Sequence, residues 1–290
     1  MNQPSIPPPP GAEPGPDSPV LARPVTTAVA RLAAMYLDGL CRRDAVLDLA
    51  LVLMTAVIAQ FAPTAIALFD DSAGLELEAK GYVLVIKWAE AAMVVAMLAY
   101  FVLRHRIDPR AFGVRFDRPA VQFAWGLLAL IGAYGAIVAS IAIVQAVVLF
   151  WPGAMNDVLR RVEFTEQLGD FSLWQTLVLL AGVSIHEEVL FRALLIPYLR
   201  RATGRWWAAV VLSSAVFAVL HFPQGWIAVV QIFGLSAVFS TMFIVSRSLP
   251  ALCLAHLAFN LAQLSLMRLL DVGRLRELLE RAVVLPHIAW

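Results

Sequence analysis

Charged residues are scarce in this 290-residue sequence. Asp, Glu, Lys and Arg make up 15% of it and hydrophobic residues 61%, with a mean hydropathy of +0.78. Because a soluble globular domain has about 25% charged and about 45–50% apolar residues, this composition excludes an ordinary soluble domain. The net charge of +1 argues against a nucleic-acid partner, since a surface that binds nucleic acid needs clustered Lys and Arg.

Cysteines are few, and the N-terminus lacks a targeting pattern. The two cysteines, Cys41 and Cys253, cannot build a disulfide framework. Residues 1–25 have neither the basic start nor the apolar stretch of a secretory signal. Their Pro, Gly and polar bias cannot bury enough apolar surface to offset the chain entropy. We therefore predict a disordered tail over residues 1–25.

Long apolar runs fill most of the remaining chain. A membrane helix needs about 20 mostly apolar residues. Seven stretches qualify, namely Val46–Phe69, Gly81–Leu103, Val121–Trp151, Ser172–Leu199, Trp206–Phe222, Trp226–Val245 and Leu249–Leu270. The sequence therefore predicts an all-α, polytopic transmembrane helix bundle with 7–8 membrane segments, the eighth being an interfacial or re-entrant segment.

The arginine distribution predicts the orientation of this bundle. Loops on the cytoplasmic side of a membrane carry an excess of Lys and Arg. If the N-terminus is cytoplasmic, that side receives eleven arginines, at positions 42, 43, 104, 106, 110, 115, 118, 200, 201, 205 and 247. We therefore expect a multi-pass protein of the plasma (inner) membrane with a cytoplasmic N-terminus. Arg268 and three later arginines conflict with this arrangement unless an extra segment lies near the C-terminus.

The fourth apolar stretch contains three charged residues, Glu187, Glu188 and Arg192. A charge at mid-membrane depth costs about 2.5–3.5 kcal/mol even on the insertion scale that gives the lowest values. Glu188 and Arg192 are four residues apart and share a helix face, so we predict an ion pair between them. Glu187 points about 100° away and is left as a candidate general base. The alternative is a purely structural polar cluster.

Two later stretches each supply a histidine. His221 ends the fifth stretch, and His256 shares a helix face with Asn260 on the seventh. Together with Glu187, these residues could bind a divalent metal such as zinc. They could equally activate a water molecule without metal, with imidazole or amide groups stabilising an oxyanion. The spacing does not choose between the two.

Other ionisable residues in the apolar stretches are less informative. His186 and Glu187 do not begin an HExxH zinc motif, because position 190 is Leu190. We therefore regard His186 as an outer or incidental residue. Lys87 and Glu90 are three residues apart and are predicted to form a structural pair.

Three ordered motifs resemble those of the CPBP intramembrane proteases, a family that includes the type II CAAX prenyl endopeptidases. They are EExxxR at Glu187, Glu188 and Arg192, FxxxH at Phe217 and His221, and HxxxN at His256 and Asn260. The similarity covers about residues 172–263. It departs from the family pattern at Ala193, where glycine is common, although alanine still allows close helix approach.

The resemblance implies an intramembrane endopeptidase that hydrolyses a membrane-associated or lipidated peptide. It implies water activation by Glu187 with help from His221, oxyanion stabilisation by His256 and Asn260, and structural support by Glu188 and Arg192. A metal-dependent enzyme would use Glu187, His221 and His256 as ligands for zinc or another divalent metal. A catalytic core would then occupy residues 171–270, between N-terminal membrane segments at 26–170 and a C-terminal tail at 271–290.

Two other functions remain open from the sequence. A proton-coupled transporter could use the same Glu and His residues as a relay, although no inverted repeat is apparent. A non-catalytic scaffold could retain the fold alone. The helix positions also pose a difficulty, because His256 and His221 lie toward opposite ends of their stretches. They can meet Glu187 only if helices tilt, if the fifth stretch enters the bilayer later than the bounds above place it, or if Pro250 lies within the membrane.

Overall fold

The computed structural model describes residues 42–69, 76–151, 154–158, 160 and 171–269. Over these ranges the chain is helical and has no strand, as the apolar pattern predicts. The main helices are α1 (Arg42–Phe69), α2 (Glu76–His105), α3 (Pro119–Phe150), α4 (Leu173–Glu188), α5 (Ile196–Thr203), α6 (Trp206–Leu220), α7 (Trp226–Ser246) and α8 (Leu249–Leu269). A π-helical segment, Val189–Leu195, joins α4 to α5.

Every predicted apolar stretch forms a helix, but the helices differ in their ability to cross a bilayer. Among the described residues, four are long and apolar enough: Lys80–His105, Pro119–Phe150, Trp226–Ser246 and Leu249–Leu266. The fourth stretch is divided among α4, the π-helical segment and α5, whereas α6 has only 15 residues. The chain is therefore an all-α membrane helix bundle. The expected tails at 1–25 and 271–290 and the predicted extra C-terminal segment lie outside the described residues.

Helix α4, which carries Glu187 and Glu188, packs against two other main helices. It packs against α2 on one side and α8 on another, while α3 contacts α7 and α8, and α6 pairs with α7. Small residues permit close approach: a side chain on Gly182 of α4 would meet the indole of Trp88 on α2 at 3.3 Å. Trp88 Nε1 also donates a hydrogen bond to the carbonyl of Val178 at 3.0 Å. These contacts fix α4 against α2.

Two sets of hydrogen bonds stabilise the start of α4. Ser172 and Gln175 form a reciprocal capping box, with hydrogen bonds of 3.2 and 2.9 Å, which satisfies free N–H groups of the first turn. Arg268, in the last turn of α8, donates to the carbonyl of Phe171 at 2.7 Å and to the hydroxyl of Thr176 at 2.8 Å. Arg268, whose predicted side of the membrane conflicted with the excess of arginine on the cytoplasmic side, therefore has hydrogen-bond partners at the start of α4.

A buried carboxylate, which the sequence did not single out, joins α1, α2 and α5. Asp48 Oδ2 lies 2.7 Å from His105 Nε2 and accepts a hydrogen bond from the hydroxyl of Tyr198 at 3.2 Å. Arg104 Nη1 lies 3.6 Å from Asp48 Oδ1. Since buried carboxylates are stable only when paired, this cluster fixes α5, the helix that follows the π-helical segment.

Candidate active site

The site begins where α4 passes into the π-helical segment Val189–Leu195. π-Helical turns are rare and occur frequently at functional sites. Here Ser213 on α6 donates a hydrogen bond to the carbonyl of Phe191 at 2.9 Å. The irregular backbone is thus stabilised by a neighbouring helix, as is required inside a bilayer.

The predicted ion pair between Glu188 and Arg192 is present and fully buried. Arg192 Nη1 lies 3.2 Å from Glu188 Oε1, with side-chain exposures of 1% and 0%. Arg192 Nη2 donates to the hydroxyl of Ser236 on α7 at 3.2 Å. Its guanidinium also lies 4.7 Å from the ring centre of Phe217 and 5.6 Å from that of Phe239. Arg192 therefore connects Glu188 on α4 to α6 and α7 by an ion pair, a hydrogen bond and cation–π contacts.

His256 on α8 contacts both glutamates. Its Nδ1 lies 2.7 Å from Glu188 Oε1, and its Nε2 lies 3.6 Å from Glu187 Oε2. An ionised carboxylate only accepts hydrogen bonds, so Nδ1 carries the proton in the contact with Glu188. The fully buried carboxylate of Glu188 thus orients the His256 ring so that its Nε2 faces Glu187.

His221 approaches Glu187 from the other side. It lies directly after α6, and its Nδ1 is 2.8 Å from the carbonyl of Phe217. Because a carbonyl only accepts, Nδ1 is the protonated nitrogen and the neutral ring presents Nε2 as an acceptor. His221 Nε2 lies 4.0 Å from Glu187 Oε1. The ring is therefore fixed by its own helix with its acceptor nitrogen facing the carboxylate.

The two adjacent glutamates differ in access. The side chain of Glu187 is 17% exposed and that of His221 is 21% exposed, whereas Glu188 is completely buried. Asn260 lies one turn after His256 on α8 and is half-buried. Part of the Glu187 and His221 side chains is thus left uncovered by the protein, while Glu188 serves as an internal anchor.

The short length of α6 bears on the difficulty over depth. Its 15 residues extend about 22 Å at about 1.5 Å per residue, less than the roughly 30 Å of a bilayer core. A helix of this length that began at one face of a bilayer would end inside it. His221 follows the end of α6, and its Nε2 lies 4.0 Å from Glu187 Oε1, so the two residues meet.

A divalent metal would need three of these groups as ligands. Glu187, His221 and His256 have the donor types that zinc prefers. Within the described ranges, however, no group of three or more His, Cys, Asp and Glu side chains is arranged to hold a metal ion. The separations of 3.6 and 4.0 Å exceed the roughly 3.3 Å between ligands of tetrahedral zinc, with bonds of about 2.0–2.1 Å. The donor types suit a metal, whereas their spacing in this structure does not.

Several residues around the site were missed or undervalued at the sequence level. Ser213 and Ser236 carry no charge and follow no motif, yet each satisfies a buried polar group. Phe239 is one of many aromatic residues, and only its position beside Arg192 distinguishes it. The pairing of Lys87 with Glu90 is confirmed at 2.9 Å. His186 proves to contact that pair, since its Nδ1 lies 3.5 Å from Glu90 Oε2.

Comparison with known proteins gives a family match for the segment that contains the site. The family model of the Rce1-like type II CAAX prenyl endopeptidases matches residues 169–262, about a third of the chain. No curated protein and no solved structure matches the chain. The matched segment runs from just before α4 into α8 and contains all the motif residues, so the resemblance read from the motifs is confirmed over this segment.

Proposed function

From the similarity of residues 169–262 to CAAX prenyl endopeptidases, we propose that this membrane protein is an endopeptidase in which Glu187 activates the attacking water. The substrate is a membrane-associated or lipidated peptide, the N-terminus is cytoplasmic, and the protein lies in the plasma (inner) membrane. The observation that carries the proposal is the placement of His221 and His256 on either side of one partly exposed carboxylate.

The spacing of Glu187 and His221 suits a bridging water. Glu187 Oε1 and His221 Nε2 are both acceptors and lie 4.0 Å apart. A water oxygen about 2.8 Å from each would see the two atoms at an angle of about 90°, close to the angle between its own O–H bonds. Such a water donates one hydrogen to each group and directs an oxygen lone pair outward, where a scissile carbonyl can be attacked.

The reaction then needs one proton acceptor and an oxyanion site. Glu187 takes a proton from water as its oxygen adds to the carbonyl carbon, and later transfers it to the leaving amide nitrogen as the C–N bond breaks. The oxyanion accepts hydrogen bonds from the Asn260 amide and from His256 Nε2. With Nδ1 donating to Glu188, a proton on Nε2 makes the His256 ring an imidazolium. Glu188 is placed to support that charge.

The proposal is tested by peptide cleavage in proteoliposomes. Wild type, Glu187→Gln and Asp117→Asn would be incubated with a fluorogenic peptide that carries a C-terminal lipidated cysteine motif. Gln keeps the shape of Glu187 but cannot accept the proton, so we expect its rate to fall by at least about 10²-fold. Asp117 lies on an exposed loop before α3, and its variant should match wild type.

Two outcomes would contradict the proposal. Equal rates for wild type and Glu187→Gln would remove Glu187 from the mechanism. Folded wild type that cleaves no lipidated peptide, but carries out ion-dependent flux of a solute, would favour the transporter.

A further inference from the structure

Three consecutive residues of α4 face three different parts of the bundle. His186 faces α2, where its Nδ1 lies 3.5 Å from Glu90 Oε2. Glu187 faces His221 and His256. Glu188 faces Arg192 and the other nitrogen of His256. Because successive helical residues point about 100° apart, the residues on both sides of Glu187 determine where its carboxylate points.

Glu187 itself is held loosely. Its side chain is 17% exposed, more than that of His186 at 11% or Glu188 at 0%, and its ionic contacts among the described residues are 3.6 and 4.0 Å long. Glu188, by comparison, has a 2.7 Å contact to His256. The direction of the Glu187 side chain therefore depends on the rotation of α4 about its own axis.

The contact on the α2 side is a buried carboxylate–histidine pair. Glu90 is 6% exposed and His186 is 8% exposed. Lys87 Nζ donates to Glu90 Oε2 at 2.9 Å, which provides the carboxylate with a cation inside the bundle. His186 Nδ1 lies within ion-pair range of Glu90, at 3.5 Å, which is longer than a usual hydrogen bond. The cluster of Lys87, Glu90 and His186 is thus the polar anchor on that side of the catalytic turn.

A second contact on the same side of α4 restricts the rotation of this helix about its axis. Trp88 donates to the carbonyl of Val178 at 3.0 Å, about two turns before His186, and packs on Gly182, about one turn before it. Two points of attachment along one side, about 12 Å apart at about 1.5 Å per residue, restrict both tilt and rotation of α4. Removal of the contact nearer to Glu187 would free the end of the helix that carries the carboxylate.

We propose that Glu90 is a positioning residue, which holds His186 and thereby keeps the Glu187 carboxylate directed at His221 and His256. A helix rotation of about 20° moves a side-chain tip about 5–6 Å from the axis by about 2 Å. A displacement of about 1 Å can cost about 10²-fold in rate. The inference rests on the proposed peptidase function, in which Glu187 acts on water.

The kinetic test compares kcat and KM of wild type, Glu90→Ala, Glu90→Gln, His186→Ala and the Glu90→Ala/His186→Ala double variant in proteoliposomes. Asp48→Ala is the matched control, because it removes a different buried carboxylate–histidine contact. We expect Glu90→Ala to lose about 10- to 100-fold in kcat with KM changed less than about threefold. Glu90→Gln retains an acceptor oxygen and should stay within about threefold of wild type. The double variant should be no slower than Glu90→Ala.

A second measurement does not depend on activity. In a Cys41→Ser/Cys253→Ser background, Glu187→Cys and His221→Cys would be joined with a short bifunctional thiol reagent. We expect the cross-link yield to fall several-fold on adding Glu90→Ala, and to be unchanged with Glu90→Gln or Asp48→Ala.

The results also separate this inference from the proposed function. Unchanged kcat and cross-linking in a folded Glu90→Ala variant would overturn the positioning role, as would a Glu90→Gln variant as slow as Glu90→Ala. If wild type cleaves no peptide, the proposed function fails, and the cross-link yield still decides whether Glu90 directs position 187.

Discussion

Substitution of Arg192 by Met tests whether the buried ion pair stabilises the catalytic turn. The change removes a 3.2 Å contact to Glu188, a 3.2 Å hydrogen bond to Ser236, and the contacts with the Phe217 and Phe239 rings. Removal of one partner from a buried pair costs about 3–5 kcal/mol, because the other charge stays buried. Glu188 retains its 2.7 Å contact to His256, so we expect the lower end, about 3 kcal/mol.

The assay is unfolding in mixed micelles of increasing SDS content, with a double-mutant cycle. Glu188→Gln combined with Arg192→Met leaves two neutral side chains, and neutral replacements of buried pairs are often tolerated. We expect the double variant to be more stable than Arg192→Met alone, with a coupling energy of about 2 kcal/mol. Strictly additive single effects, or an Arg192→Met variant as stable as wild type, would refute the reasoning.

Arg115→Met provides the matched control. Arg115 Nη2 lies 2.8 Å from Asp117 in the loop before α3, where the side-chain hydrogen bond from Arg115 lowers the pKa of Asp117 to about 2. The pair is therefore ionised at the pH of the assay, but water screens it. The unfolding midpoint of this variant should equal that of wild type.

Three further predictions concern the site. Asn260→Ala should lower kcat by about 10²–10³-fold with little change in KM, measured by steady-state cleavage, because one oxyanion donor is lost; an effect on KM alone would place Asn260 in substrate binding. Gly225→Ala should lower both the melting temperature and kcat. Gly225 has φ +97°, and a side chain there would meet Asp157 at 3.0 Å, beside the turn that carries His221. A melting temperature equal to that of wild type would show that the turn tolerates the methyl group. Chelation of divalent metals, with metal content measured in parallel, should leave the cleavage rate within about twofold of the untreated enzyme; loss of activity restored by zinc would instead identify a metal enzyme.

The parts of the site that depend on one helix were predictable from the sequence. The pair of Glu188 and Arg192 follows from a spacing of four residues, and the structure confirms it at 3.2 Å. Lys87 and Glu90 were predicted for the same reason. Charged residues in apolar stretches are rare and costly, which makes them visible without a structure.

Contacts between helices were not predictable in the same way. The 2.7 Å contact of His256 with Glu188 requires the relative position of α4 and α8, which no local pattern specifies. His186 appeared incidental because its partner, Glu90, lies on another helix. The π-helical segment Val189–Leu195 has an ordinary apolar sequence. Its backbone is stabilised from a neighbouring helix, where Ser213 donates a hydrogen bond to the carbonyl of Phe191.

The central claim, that Glu187 directs water onto a peptide bond, is tested most directly by cleavage in ¹⁸O-labelled water. Wild type in proteoliposomes would be incubated with a lipidated peptide, and the new C-terminal carboxylate would be examined by mass spectrometry in a single turnover. We predict one ¹⁸O atom in that carboxylate for wild type and a rate of product formation at least about 10²-fold lower for Glu187→Gln. Unlabelled product, or labelled product from Glu187→Gln at the wild-type rate, would contradict the account.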